Sequence, residues 1–119
     1  MGEEQNKLKF KDPDGTREIV LVYRDATIDD WIEYQARNSA DYDEKDPREV
    51  RFKKMFRSQF EAGKRILTGF SASGEGILKG LSMEDPQWKE KLEKKIPQLL
   101  ITLGRQVFET EDFDAEKNS

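Results

Sequence analysis

The chain has 119 residues, of which 34% are hydrophobic and 39% charged, with a formal net charge of -4, a pI near 5.0 and a mean hydropathy of -0.93. That length suits one domain burying about two thirds of its unfolded surface, and the net acidity argues against a dedicated nucleic-acid binder. There is no cysteine and no histidine, which excludes disulfide staples, thiolate nucleophiles, Cys/His zinc sites and His-based triads.

Residues 1–6, MGEEQN, are polar and acidic and are expected to be disordered. They are followed by no apolar h-region, so they do not read as a secretory signal, and no run approaches membrane-spanning length. KLKFK at 7–11 alternates apolar and basic residues, which is the period of a strand burying Leu8 and Phe10. Asp12-Pro13-Asp14-Gly15 supplies turn chemistry, and a return strand is predicted near Arg17 to Arg24. That second strand places Ile19, Leu21 and Tyr23 on one face and Val20 and Val22 on the other. Both faces are apolar, so the strand needs cover on both sides, from the protein's own helices, from another chain or loop, or from a third strand at its edge. Val20 and Val22 are therefore candidate partner contacts.

Ala26 to Arg37, ATIDDWIEYQAR, predicts a helix start: Thr27 and Asp30 have capping-box spacing, and Asp29 and Asp30 suit the positive end of the helix dipole. Ile28, Trp31, Ile32 and Ala36 form the expected apolar stripe, with Asp29, Glu33 and Arg37 facing outward. An acidic loop follows. Asp46, Pro47 and Glu49 open a second helix, over Arg48 to Leu67. Phe52, Met55, Phe56, Gln59, Phe60, Gly63, Ile66 and Leu67 fall on one side of it and are expected to supply most of the core aromatics. Arg51, Lys53, Lys54, Arg57, Lys64 and Arg65 fall on the other, so a basic segment follows an acidic one.

Gly69 to Gly80, GFSASGEGILKG, is read as a flexible segment between two helical halves. Asp85 and Pro86 open a third helical region whose stripe is Trp88, Leu92, Ile96, Leu99, Leu100, Leu103 and Val107. Pro97 predicts a kink there, or two helices meeting at Lys95 to Pro97. Residues 109–119 form an acidic tail expected to be disordered. The fold class is α+β, mainly helical: an N-terminal β-hairpin packed on a bundle of about four helices, as a single domain over 7–108.

The candidate chemical motifs fail on spacing. Gly69 and Gly74 stand five apart as in a P-loop, but Glu75 and Gly76 occupy the places of the Lys and the Ser or Thr that hold phosphate and magnesium. Asp41, Asp43, Glu44 and Asp46 resemble a calcium-loop fragment, yet Lys45, Asp46 and Phe52 stand where a ligand, the glycine and the bidentate glutamate belong. Asp29 and Glu33 share a helical face as surface acids without a pocket to separate their pKa values. The reading is a non-enzymatic chain with no cofactor, no metal and no catalytic residue.

The hairpin KFKDPDGTREIVLVY followed by the helix entry ATIDDW, a charged helical body and an acidic tail resembles, in layout, the small tail assembly chaperones of long-tailed bacteriophages and prophages. The resemblance covers about the first forty residues. It implies a cytoplasmic, self-associating protein that binds a tape-measure protein during tail assembly. From the residues themselves the expectation is a protein-interaction or assembly factor, with Val20, Val22, Arg51, Lys54, Arg57, Lys64 and Arg65 as candidate partner-binding residues. The alternative is a small nucleic-acid-associated regulator using the basic face of the second helix, whose binding weakens steeply with salt.

Overall fold

The computed structural model describes residues 6–11, 17–41, 43–73 and 78–109. Strand β1 (Asn6–Lys11) and strand β2 (Glu18–Tyr23) precede helix α1 (Ile28–Asp41) and helix α2 (Arg48–Ile66); strand β3 (Leu67–Ser73), helix α3 (Trp88–Lys95) and helix α4 (Pro97–Phe108) follow. The expected α+β, mainly helical class is observed, with the antiparallel strand pair at the N-terminal end. The turn expected at 12–15, the end residues 1–5 and the tail residues 110–119 lie outside the described residues.

The chain forms two compact units, each assembled from separate stretches: Met1–Asp25 with Ile66–Pro97, and Ala26–Arg65 with Gln98–Ser119. In the first unit the sheet order is β1-β2-β3, all antiparallel, so β2 is central. The strand read as apolar on both faces is thus the one whose two edges are both paired. β3 occupies the start of the segment expected to be flexible, which corrects that expectation for residues 69–73; residues 74–77 lie outside the described residues. Its Gly and Ser are poor strand formers, and pairing with β2 outweighs that local preference. A register shift falls between Val22 and Tyr23, after which Arg24 N–H donates to the Ile66 carbonyl at 3.0 Å.

Directly paired residues share a face of the sheet. Leu8, Leu21 and Phe70 lie side by side on one face; Lys7, Val22 and Gly69 do so on the other. Phe70 meets Trp88 of α3, ring centroids 5.6 Å apart. On the opposite face the Met83 thioether lies over Gly69, its Cε and Sδ 3.0 and 3.1 Å from where a Cβ would stand, and Val22 Cβ is 3.9 Å from the same point. Leu92 and Ile96 are fully buried with Leu21 and Leu67, each contributing about 1.5–3 kcal/mol over an exposed position.

Proline divides α3 from α4 as expected. α3 ends at Lys95, Ile96 leaves helical geometry with φ -137 and ψ 56, and Pro97 takes the first position of α4, where its missing N–H is no loss. α3 itself starts later than the Asp85-Pro86 signal suggests: Asp85 accepts from Gln87 N–H at 2.9 Å and its carbonyl accepts from Trp88 N–H at 2.9 Å, forming a turn ahead of the helix.

In the second unit α1 begins with the predicted capping box. Asp30 N–H donates to Thr27 Oγ1 at 3.2 Å, while Thr27 N–H donates to Asp30 Oδ2 at 2.7 Å. The buried face of α1, however, is not the predicted stripe. Asp30 and Tyr34 are buried and Trp31 half-buried, whereas Ile28 and Ile32 are 75% and 58% exposed. Trp31 and Tyr34 both pack on the Phe108 ring of α4, at 4.9 and 5.0 Å. Asp30 can be buried because its other oxygen accepts from Arg65 Nε at 2.6 Å. The charge that marked it as a surface residue is thereby neutralised.

α2 and α4 touch backbone to backbone. A Cβ at Gly63 would stand 2.2 Å from the Leu100 carbonyl oxygen, and one at Gly104 would stand 1.9 Å from the Gln59 carbonyl oxygen. Only glycine permits that approach. Around the seam Ser58, Gln59, Phe60, Ala62, Leu100 and Leu103 are buried.

Candidate functional site

The N-terminal half of α2 lies away from the glycine seam, and there the predicted core face is open. Phe52 and Phe56 are 39% and 38% exposed and stack on each other, centroids 6.1 Å apart at 18°. The expectation that α2 buries its aromatics therefore holds for Phe60 and fails for these two. The reason is position along the helix: the apolar arc runs the whole length, but the glycines that bring α4 close sit only in the second half.

Beside Phe52 is a cleft of about 410 Å³ lined by Asn38, Arg48, Arg51, Phe52, Lys54, Met55, Ser58 and Glu109. This volume lies in the range of small-ligand and peptide-anchor pockets. Its cations are not equivalent. Lys54 is held by Asp46, Nζ to Oδ2 2.6 Å. Arg48 places its guanidinium over the Phe52 ring, 5.1 Å from the centroid, a cation–π contact. Arg48 and Arg51 make no ion pair among the described residues, and Arg51 is exposed.

Glu109, which also lines the cleft, accepts a hydrogen bond from the Tyr34 hydroxyl. Burial, and then that bond to a carboxylate, push the Tyr34 phenol up to about 12 from an ordinary 10.0, since both disfavour phenolate. The Ser58 hydroxyl and the Gln59 side-chain oxygen are buried without a hydrogen-bond partner.

The predicted site residues are dispersed rather than gathered. Val20 is buried at 9% exposure, and Val22 is half-buried beside Met83. Arg57 is 3.9 Å from Glu61, one turn on, and lies over Phe60 at 5.8 Å. Arg65 is committed to Asp30. Lys64 is half-buried. Of the predicted set, Arg51 and Lys54 line the cleft. Arg48, Phe52, Met55 and Asn38 were outside that set. The signal available for the three on α2 was a phenylalanine pair at i and i+4 flanked by arginines on a helix of low mean hydropathy; none marked Asn38.

Among the described residues no group of three or more His, Cys, Asp or Glu side chains is placed to hold a metal ion, and no helix is long and apolar enough to cross a membrane. A scan against protein-family models gives no match, and neither the curated proteins nor the solved structures contain a significant relative.

Proposed function

We propose that this chain is a non-catalytic protein-interaction or assembly factor that meets its partner through the N-terminal half of α2. The observation that carries this reading is the stacked Phe52–Phe56 pair, more than a third exposed and bordered by Arg48 and Arg51. Exposed aromatics next to arginine are the composition of interface hot spots rather than of an ordinary solvated face. Exposed Ile28 and Ile32 on α1 add apolar surface in the same unit. The layout resemblance to phage tail assembly chaperones favours a tape-measure protein as the partner, in the cytoplasm and with self-association.

The test is co-expression with a phage tape-measure protein, followed by capture. Co-purification is expected, and Phe52→Ser with Phe56→Ser should abolish it while leaving the circular dichroism spectrum unchanged. A strict monomer at high concentration that captures no partner would overturn the reading.

A further inference from the structure

Resting on that protein-binding reading, we infer that the chain's own residues 110–116 dock in the α2 cleft, seating Phe113 against Phe52 and Met55, and that a partner must displace them. The starting observation is where α4 ends. The Phe108 ring is buried against Trp31 and Tyr34, Glu109 N–H donates to the Arg105 carbonyl at 2.9 Å, and the Glu109 carboxylate accepts from the Tyr34 hydroxyl. Glu109 also lines the cleft. The chain therefore enters residue 110 from an anchored point in the cleft lining.

The sequence that follows, Thr110-Glu111-Asp112-Phe113-Asp114-Ala115-Glu116, sets four carboxylates around one aromatic ring. Its chemistry matches the lining. Phe52 and Met55 offer apolar surface to the ring, and Arg48 and Arg51, which make no ion pair among the described residues, offer guanidinium groups to the acids. Planar guanidinium donors pair carboxylates two bonds at a time. Lys54 is held by Asp46 and is not required. Length permits the seating: the four residues from Glu109 to Phe113 span up to about 14 Å when extended, and Glu109 and Phe52 line one cleft of about 410 Å³.

An acid-flanked aromatic on another molecule has the same chemistry, so the tether decides between them. A short tether presents its segment at an effective concentration on the order of millimolar, and a competitor at micromolar concentration must bind about a thousandfold more tightly to displace it. The contact is thus autoinhibitory.

The test places the photoreactive residue p-benzoylphenylalanine at position 113 of the full chain, irradiates the dilute protein and maps the crosslinks. Crosslinks within one chain to residues 48–58 are expected. Tethering alone would also bring position 113 near α2, so the yield must depend on the docking chemistry. Arg51→Glu and, separately, Phe52→Ser should each lower it about fivefold or more. A yield that either variant leaves unchanged, crosslinks that map elsewhere, or none at all would overturn the inference. Crosslinks between chains would assign the cleft to a second copy and overturn it equally.

The competition has its own readout. Phe113→Ser should raise the apparent affinity for the captured partner about tenfold, by removing the tethered competitor. Capture that needs Phe52 and Phe56 but is unchanged by Phe113→Ser would uphold the protein-binding reading and overturn the autoinhibitory contact. Intrachain crosslinks with the stated dependence, and no partner captured even by Phe113→Ser, would uphold the docked segment and overturn the protein-binding reading.

Discussion

The two halves of α2 are written in nearly the same alphabet and do opposite things. From Ser58 to Gly63 the helix is sealed against α4, with carbonyl oxygens where side chains would otherwise be. From Arg48 to Phe56 the same amphipathic period ends in exposed rings, beside Arg48 and Arg51, which make no ion pair among the described residues. What separates them is not hydrophobicity but the presence of Gly63, and of Gly104 across from Gln59. Close approach buries one half and spares the other. An amphipathic period says which side of a helix is apolar; the small residues along it say how much of that side is covered.

That contrast can be broken most severely at the seam. Gly104→Ala drives a methyl group to 1.9 Å from the Gln59 carbonyl oxygen, and urea denaturation should show a loss of about 3 kcal/mol. An unchanged midpoint would mean that the helices do not meet there. Phe60→Ala, in the sealed half, should likewise cost about 3 kcal/mol, whereas Phe52→Ser, in the open half, should stay within about 0.5 kcal/mol of the parent. Equal losses at the two positions would erase the distinction between the halves.

Asp30→Ala tests how the sealed half is held to α1. It removes both the cap and the Arg65 partner, and should cost about 2 kcal/mol; Asp30→Asn keeps cap geometry and should cost less. The smallest effect is at high pH. Tyr34 binds its proton more tightly folded than unfolded, with its phenol raised to about 12 from 10.0. Its contribution is therefore intact below pH 10 and declines as pH rises towards 12. Phenolate absorbance should show a late component at high pH, and Tyr34→Phe should remove it.

Much of the fold was readable from local chemistry. Thr27 and Asp30 announced α1 and Pro97 announced the break before α4, whereas the doubly apolar β2 called for cover from helices, another chain or a third strand without deciding among them. The strand itself stayed hidden, since GFSAS carries loop residues and owes its conformation to pairing with β2. The face of α1 was misjudged for a related reason. Periodicity ranks Ile28 and Ile32 above Asp30, but it cannot see Arg65, which comes from far along the chain to neutralise that carboxylate. The candidate site was half legible: Arg51 and Lys54 were singled out for their charge, while Phe52 was taken for core because the glycine seam lies downstream of it.

The division of both compact units into separated stretches has a consequence during synthesis. β1 and β2 leave the ribosome first, yet the strand that pairs the second edge of β2 is encoded only after α2. At ordinary elongation rates that interval is on the order of seconds. Throughout it the nascent chain carries IVLVY with an unpaired edge and apolar residues on both faces, the kind of segment that pairs with its neighbours on a polysome. The three alternating lysines of β1, at positions 7, 9 and 11, precede that segment and pair with it in the folded sheet, and charges placed beside an apolar strand oppose its association with other copies.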